Sequence, residues 1–169
     1  MTMNIGIAID VQRGFLDSNT ETRELEGRIT SLLNQAPFDV LFATKFVNGK
    51  NSPYQKLLGW THMQGPLETD LLPIVEEQAA QVIEKGTYTP PEKLFEALPD
   101  GTDTVYLFGL DTDACVLAAA MCCMDHGIRP VILAHYCASS IGPGYHDSAL
   151  TFLTQICGEE QVITGEIRL

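Results

Sequence analysis

Short apolar runs alternate along the chain with segments whose apolar residues recur at helical spacing. Ile5–Ile9, Val40–Thr44, Gln81–Lys85, Val105–Phe108, Pro130–Tyr136 and Gln161–Thr164 are rich in β-branched and aromatic residues and read as strands. Between the first two, Glu21–Gln35 puts Leu25, Ile29, Leu32 and Leu33 on one face, the stripe of an amphipathic helix. Further helices are expected over Leu67–Glu77, Pro91–Leu98, Ala114–Met124 and Asp147–Ile156. Proline suits the first position of the helix at 91, where its missing N–H costs nothing. Strands alternating with helices through six units predict one α/β domain over residues 1–169. Its architecture is three-layer α/β/α, a doubly wound parallel six-stranded sheet with helices on both faces. Lys45–Gln64 breaks the rhythm: with Gly49, Pro53 and Gly59 it reads as a loop too polar for a regular element. Its Phe46, Tyr54, Trp60 and His62 are either the wall of a pocket or the packing of a surface Ω-loop.

Composition narrows the function classes. Of 169 residues, 45% are hydrophobic and 19% charged, the balance of a soluble globular domain. No run of 18 apolar residues predicts a membrane span. The first residues enter a strand with no basic n-region, so no signal peptide and a cytoplasmic protein are expected. A net charge of −12 argues against nucleic acid, whose phosphates it would repel. Five cysteines, an odd number without CxxC spacing, fit neither a disulfide framework nor a zinc ribbon. His62 stands alone and is not expected to bind a metal.

Candidate chemistry gathers at strand ends. Val105–Phe108 is followed by Gly109 and then by Asp111, Thr112 and Asp113, residues suited to helix N-caps. Cys115 then falls in the first turn of a helix, where free N–H groups and the helix dipole favour a thiolate. Cys122, seven residues on, shares its helix face about 10 Å deeper and reads as core, as does Cys123. Asp10 ends the first strand and Lys85 the third, so with Cys115 they share the carboxyl edge of the sheet, where α/β ligand sites lie. An aspartate and a lysine are what a nucleophilic thiol needs as base and cation. Taken singly, Asp10 also reads as a cap and Lys85 as a solvated amine.

These residues carry a resemblance. Asp-x-Gln-x-x-Phe at 10–15, Lys85 with a following aromatic, and Gly-Leu-Asp-Thr-Asp-Ala-Cys-Val at 109–116 are similar to the isochorismatase-like cysteine hydrolases, a family that includes the nicotinamidase-related amidases. The resemblance implies the isochorismatase-like hydrolase fold, with Cys115 as nucleophile, Asp10 as general base and Lys85 as the supporting cation. It implies a cis peptide before Asp111 and an oxyanion hole made by the backbone N–H groups of Asp111 and Cys115. Gln12, Phe15, Phe46, Trp60 and Tyr88 are expected to contact a small-molecule substrate. Nicotinamidases carry Asp-x-His and a later histidine after the second strand, binding a metal. Here Thr44-Lys-Phe-Val-Asn48 stands instead, so neither a metal nor any other cofactor is expected. Asp111 replaces the small apolar residue common at its position. Relatives commonly form dimers or tetramers, so a homo-oligomer is expected.

The leading expectation is cofactor-independent hydrolysis of a C–N bond in a small amide-like substrate through an acyl-thioester. Its rivals are vinyl-ether cleavage, a non-catalytic binding or assembly module, and a redox-sensing thiol. Dinucleotide binding is excluded, because no Gly-x-Gly-x-x-Gly follows the first strand.

Overall fold

A computed structural model describes residues 3–167. Six strands, β1 (Ile5–Ile9), β2 (Val40–Phe46), β3 (Gln81–Lys85), β4 (Thr104–Gly109), β5 (Arg129–Cys137) and β6 (Val162–Ile163), form one sheet in the order β3-β2-β1-β4-β5-β6. Every pairing is parallel, which is why the strands read as near-continuous apolar runs rather than alternating ones. Strand order runs one way from β1 to β3 and the other way from β4 to β6. With right-handed crossovers this reversal sends the connecting helices to both faces of the sheet. It also opens a crevice between the carboxyl ends of β1 and β4, the switch point at which such sheets bind ligands.

The helices are α1 (Arg13–Leu16), α2 (Thr20–Asn34), α3 (Pro53–Leu58), α4 (Pro66–Thr69), α5 (Pro73–Gln78), α6 (Glu92–Ala97), α7 (Leu117–Asp125) and α8 (Pro143–Cys157). Asn19 starts α2 with a capping box: its side chain accepts from Thr22 N–H while Thr22 Oγ1 accepts from Asn19 N–H. The helix then buries Leu25, Ile29, Leu32 and Leu33, each worth about 1.5–3 kcal/mol of transfer free energy. No helix among the described residues is long and apolar enough to cross a membrane.

Several boundaries depart from expectation. The helix expected over Leu67–Glu77 is two, α4 and α5, because Pro73 cannot continue a helix from α4 and begins a new one. Leu71 instead bridges to Gln12, antiparallel. The segment 45–64 is not wholly irregular. Ser52 caps α3 by accepting from Gln55 N–H, Pro53 occupies the first turn, and Gly59 ends the helix at φ +66°. The last helix begins at Pro143, ahead of Asp147. The helix after β4 opens as a single π-helical turn, Thr112–Val116, before α7. That wider turn advances the buried face by one residue, so Cys123 is buried as expected while Cys122 is only partly so.

Candidate active site

Asp10 leaves β1 at φ +46°, in the left-handed region that Asp visits more readily than most residues. This turn swings its carboxylate beneath the crevice, where it is fully buried. Thr44 on β2 holds it: the hydroxyl donates to Asp10 Oδ1 at 2.7 Å and accepts from Asp10 N–H at 3.1 Å. Gly109 lets β4 pass close beside β1. At φ +126° a Cβ there would stand 2.1 Å from Ile9 O, so no other residue fits. The Leu110–Asp111 peptide is cis, as the resemblance implies.

Lys85, at the end of β3, is 5% exposed. Its Nζ lies 2.8 Å from Asp10 Oδ2 and donates to Cys115 Sγ at 3.3 Å and to the carbonyls of Thr87 (2.8 Å) and Tyr88 (3.3 Å). It also lies 5.3 Å from the centre of the Phe46 ring. Burial lowers the affinity of the amine for its proton, but Asp10 and Cys115 together more than offset this, and the ammonium is held up. The solvated-amine reading of Lys85 is thereby ruled out. Asp10, Lys85 and Cys115, drawn from three strand ends, form one contiguous cluster.

The cluster corrects one expectation about the thiol. Burial first, and then the Asp10 carboxylate, push Cys115 well above the ordinary thiol range, against the lowering pull of Lys85. The cation does not act on the sulfur alone, because its closest partner is the Asp10 carboxylate. These influences favour the protonated form of Cys115, beside a carboxylate. Burial likewise pushes Cys123 and Cys137 up to about 12.

Above Cys115 opens a cavity of about 340 Å³. Phe15, Phe46, Trp60 and Tyr88 line it as expected, and Tyr54 adds a fifth ring. Phe46, Tyr54 and Met63 form a small buried cluster of their own, with Phe15 and Trp60 packed on it. The aromatics of 45–64 thus wall a pocket and also pack on one another. His62 does not join the wall; it pairs with Glu68 at 2.8 Å on the surface.

Gln12 is a correction. It is fully buried and does not line the cavity; its amide donates to Phe46 O and Thr69 O and accepts from Phe46 N–H, all at 2.8 Å. Its side chain is used up in fastening β2 and the end of α4, and so acts on the site by fixing Phe46. Asn48 works similarly, donating to the carbonyls of Trp60 (3.0 Å) and His62 (2.9 Å). With Phe46 in the pocket wall and Asn48 so engaged, the segment after β2 offers no donor set for a metal. No group of three His, Cys, Asp or Glu able to hold one occurs among the described residues.

Sequence reasoning missed Ser140 and Ile141, which follow β5 and close the far side of the cavity. Asp111, expected among helix-capping residues, instead accepts from Ser140 N–H (2.7 Å) and Ser140 Oγ (2.6 Å). Asn19 secures the same loop from α2, donating to the carbonyls of Ser139 (3.0 Å) and Ser140 (3.2 Å). Around the cis peptide, Leu110 N–H donates to Ile9 O, Thr112 N–H to Ala138 O, and the N–H groups of Ala114 and Val116 to Asp111 O.

Burial raises the Asp111 carboxyl from its ordinary 3.8 to about 6, against the lowering effect of Ser140 and with help from Asp113 and Asp10. A carboxyl raised on folding stabilises the fold fully below its unfolded value and loses that contribution as pH climbs to the folded one. Between pH 4 and pH 7 the wild type should therefore lose up to about 3 kcal/mol relative to Asp111→Asn. Urea midpoints of both proteins at pH 4.5 and pH 7.5 measure it. A difference that stays constant with pH would contradict the shift.

A model of the isochorismatase domain matches residues 5–166. The chain belongs to the isochorismatase family. Among solved structures similar to this family member, nicotinamidase from Bacillus subtilis is 24% identical, with a TM-score of 0.80 over 96% of this chain and 100% of that one. N-carbamoylsarcosine amidase from Thermoplasma acidophilum is 20% identical, with a TM-score of 0.76 over 99% of each chain. An isochorismatase-like hydrolase from Alkaliphilus metalliredigens is 17% identical, with a TM-score of 0.80 over 96% and 95%. At these identities the likeness establishes the shared fold. A search of curated proteins returned no match.

Proposed function

We propose that the chain is a cysteine hydrolase that cleaves a C–N bond of a small amide-like substrate without a cofactor. The observation that carries this reading is the contact chain from Cys115 Sγ to Lys85 Nζ (3.3 Å) to Asp10 Oδ2 (2.8 Å), at the floor of a cavity of about 340 Å³. The names of two structural relatives, a nicotinamidase and an N-carbamoylsarcosine amidase, support the choice of an amide over a vinyl ether.

In this scheme the substrate carbonyl carbon is attacked by Cys115 Sγ while the thiol proton passes to Asp10. Lys85 stabilises the sulfur as its charge develops and keeps Asp10 ionised in the resting enzyme. The carbonyl oxygen becomes an oxyanion held by the N–H groups of Asp111 and Cys115, donors typically worth about 3–4 kcal/mol each. Collapse breaks the C–N bond, the amine leaves with the proton from Asp10, and an acyl-thioester remains. Water then attacks the thioester as Asp10 takes its proton, and the carboxylic acid departs as the thiol is restored.

Buried, with its thiol pushed upward and a carboxylate beside it, Cys115 suits acyl transfer better than peroxide sensing, which favours an exposed thiolate. A homo-oligomer, dimer or tetramer, is part of the proposal; exposed Met121, Met124, Phe152 and Ile156 on the mutually packed α7 and α8 favour it. So are a cytoplasmic location and the lack of a nucleic-acid partner, the second of which the charge of −12 favours.

A panel of small amides and ureides, assayed for released ammonia or amine with wild type and Cys115→Ser, tests the reaction. Turnover by the wild type alone, with acylated Cys115 trapped by acid quench and found by mass spectrometry, is the expected result. Equal turnover by both proteins would dismiss covalent catalysis.

A further inference from the structure

The walls of the cavity carry a charge pattern that the catalytic cluster does not use. Asp10 and Lys85 oppose each other at 2.8 Å, so their charges cancel below the floor. Two carboxylates, Asp111 and Asp113, remain in the lining, and no Lys, Arg or His accompanies them there. Asp113 Oδ1 is buried without a hydrogen-bond partner. The same cavity is lined by the rings of Phe15, Phe46, Tyr54, Trp60 and Tyr88. Tyr54 stands edge-on to Trp60 (centroids 6.3 Å, 79°) and to Tyr88 (5.0 Å, 86°), so rings of differing orientation meet at one place.

Aromatic rings offer a negative face, and perpendicular rings around a small space form the cage that suits an alkylammonium ion. Neutral substrates need no carboxylates, and anionic ones would be repelled by two acids and by a chain of net charge −12. From this juxtaposition of five rings, two carboxylates and no cation, we infer that the substrate is a small amide or ureide bearing an ammonium group. The cationic group sits against Trp60, Tyr54 and Tyr88 with Asp111 and Asp113 as counter-ions, and the amide carbonyl reaches Cys115. Asp113 and the side chain of Asp111 are then specificity-determining, and the reaction itself is that of the preceding section, on which the inference rests.

Binding and turnover test it separately. Trp60 is the only tryptophan of the chain, so its fluorescence reports the cavity directly. Choline and 3,3-dimethylbutan-1-ol have nearly the same shape and differ by the positive charge. Titrated into wild type and Cys115→Ala, choline should bind at least about tenfold more tightly than the neutral alcohol. Asp113→Asn should erode that preference severalfold. Ile141→Lys should do the same from the exposed mouth, where Ile141 is 64% exposed and no core packing is disturbed. Equal or tighter binding of the alcohol, or a choline affinity indifferent to both variants, would overturn the inference.

The turnover arm compares trimethylammonioacetamide with 3,3-dimethylbutanamide, again isosteres. Preference for the cationic amide, lost in Asp113→Asn, supports the inference. Cys115-dependent turnover of the neutral amide alone would overturn the substrate class and keep the hydrolase. Choline selectivity with no amide of any kind hydrolysed would do the reverse.

Discussion

Alanine in place of Cys115 is expected to lower amide turnover by about 10⁴-fold or more while the protein stays folded. The two halves of that expectation rest on different physics. The sulfur forms the only covalent bond to substrate in the proposed route, and nothing else at the cavity floor replaces it, since Lys85 is tied to Asp10 and two carbonyls. Structurally, Cys115 contributes one buried sulfur, and removing it costs on the order of 1 kcal/mol, or about 2–4 °C in melting temperature for a chain of this size. Asp10→Asn should reach the same phenotype by another path. Asparagine keeps the shape and can still accept from Thr44, but it cannot take the thiol proton, so a loss of about 10²–10⁴-fold is expected. The double variant should be scarcely worse than Cys115→Ala, because base and nucleophile act as a unit. Steady-state rates and thermal melts of the three proteins decide it. Near-normal turnover in Cys115→Ala would refute the covalent route.

How far the sequence carries such an argument depends on what kind of fact is at stake. Buried parallel strands must be apolar on both faces, so Ile5–Ile9 and Val105–Phe108 announce themselves, and their alternation with helical stripes leads to the observed sheet. Strand ends follow from strands, which is why Asp10, Lys85 and Cys115 can be expected on one edge before any coordinates exist. Phe46, Trp60 and Tyr88 are suggested as pocket-lining by their nearness in sequence to the ends of β2 and β3, although packing on one another is an equal expectation and the structure shows both.

What the sequence hides is the fate of individual polar atoms. Gln12 has the position of a substrate-contacting amide, yet its three hydrogen bonds all go to backbone, and only the folded positions of Phe46 and Thr69 reveal that. The π-helical turn is masked in the side-chain period, since a single i→i+5 turn offsets the stripe by only one residue in an almost wholly apolar run. Ser140 lies 25 residues beyond Cys115, and nothing in the run Ala134–Ser139 before it, though similar to the family's, says that it will reach Asp111. Electrostatics is the hardest to read. A lysine near a cysteine suggests a thiolate, but here the same lysine is paired with an aspartate, and burial pushes the thiol upward.

That last point makes Lys85→Met the variant with the widest consequences. Methionine matches the length and apolar stem of lysine and removes the charge. Asp10 is then left as a buried carboxylate with no counter-ion, a change that typically costs about 3–5 kcal/mol. The melting temperature should fall by about 10 °C, well beyond the effect of a surface substitution. Catalysis should fall by about 10²-fold or more, because the base is destabilised and the developing thiolate loses its stabilising neighbour together. The thiol itself reports the charge. In proteins retaining only Cys115, thiolate absorbance near 240 nm should be absent at pH 7 in the parent and should emerge only at alkaline pH. It should shift further upward in Lys85→Met, since the one influence that lowers the thiol has gone. Lys85→Arg separates charge from geometry: it restores a cation, but its planar fork cannot reproduce the compact contacts to Asp10, Cys115, Thr87 and Tyr88. The arginine variant should therefore recover stability more than turnover. A Lys85→Met protein with unchanged melting temperature, thiol titration and rate would remove the lysine from the site and leave Asp10 and Cys115 to act as a pair.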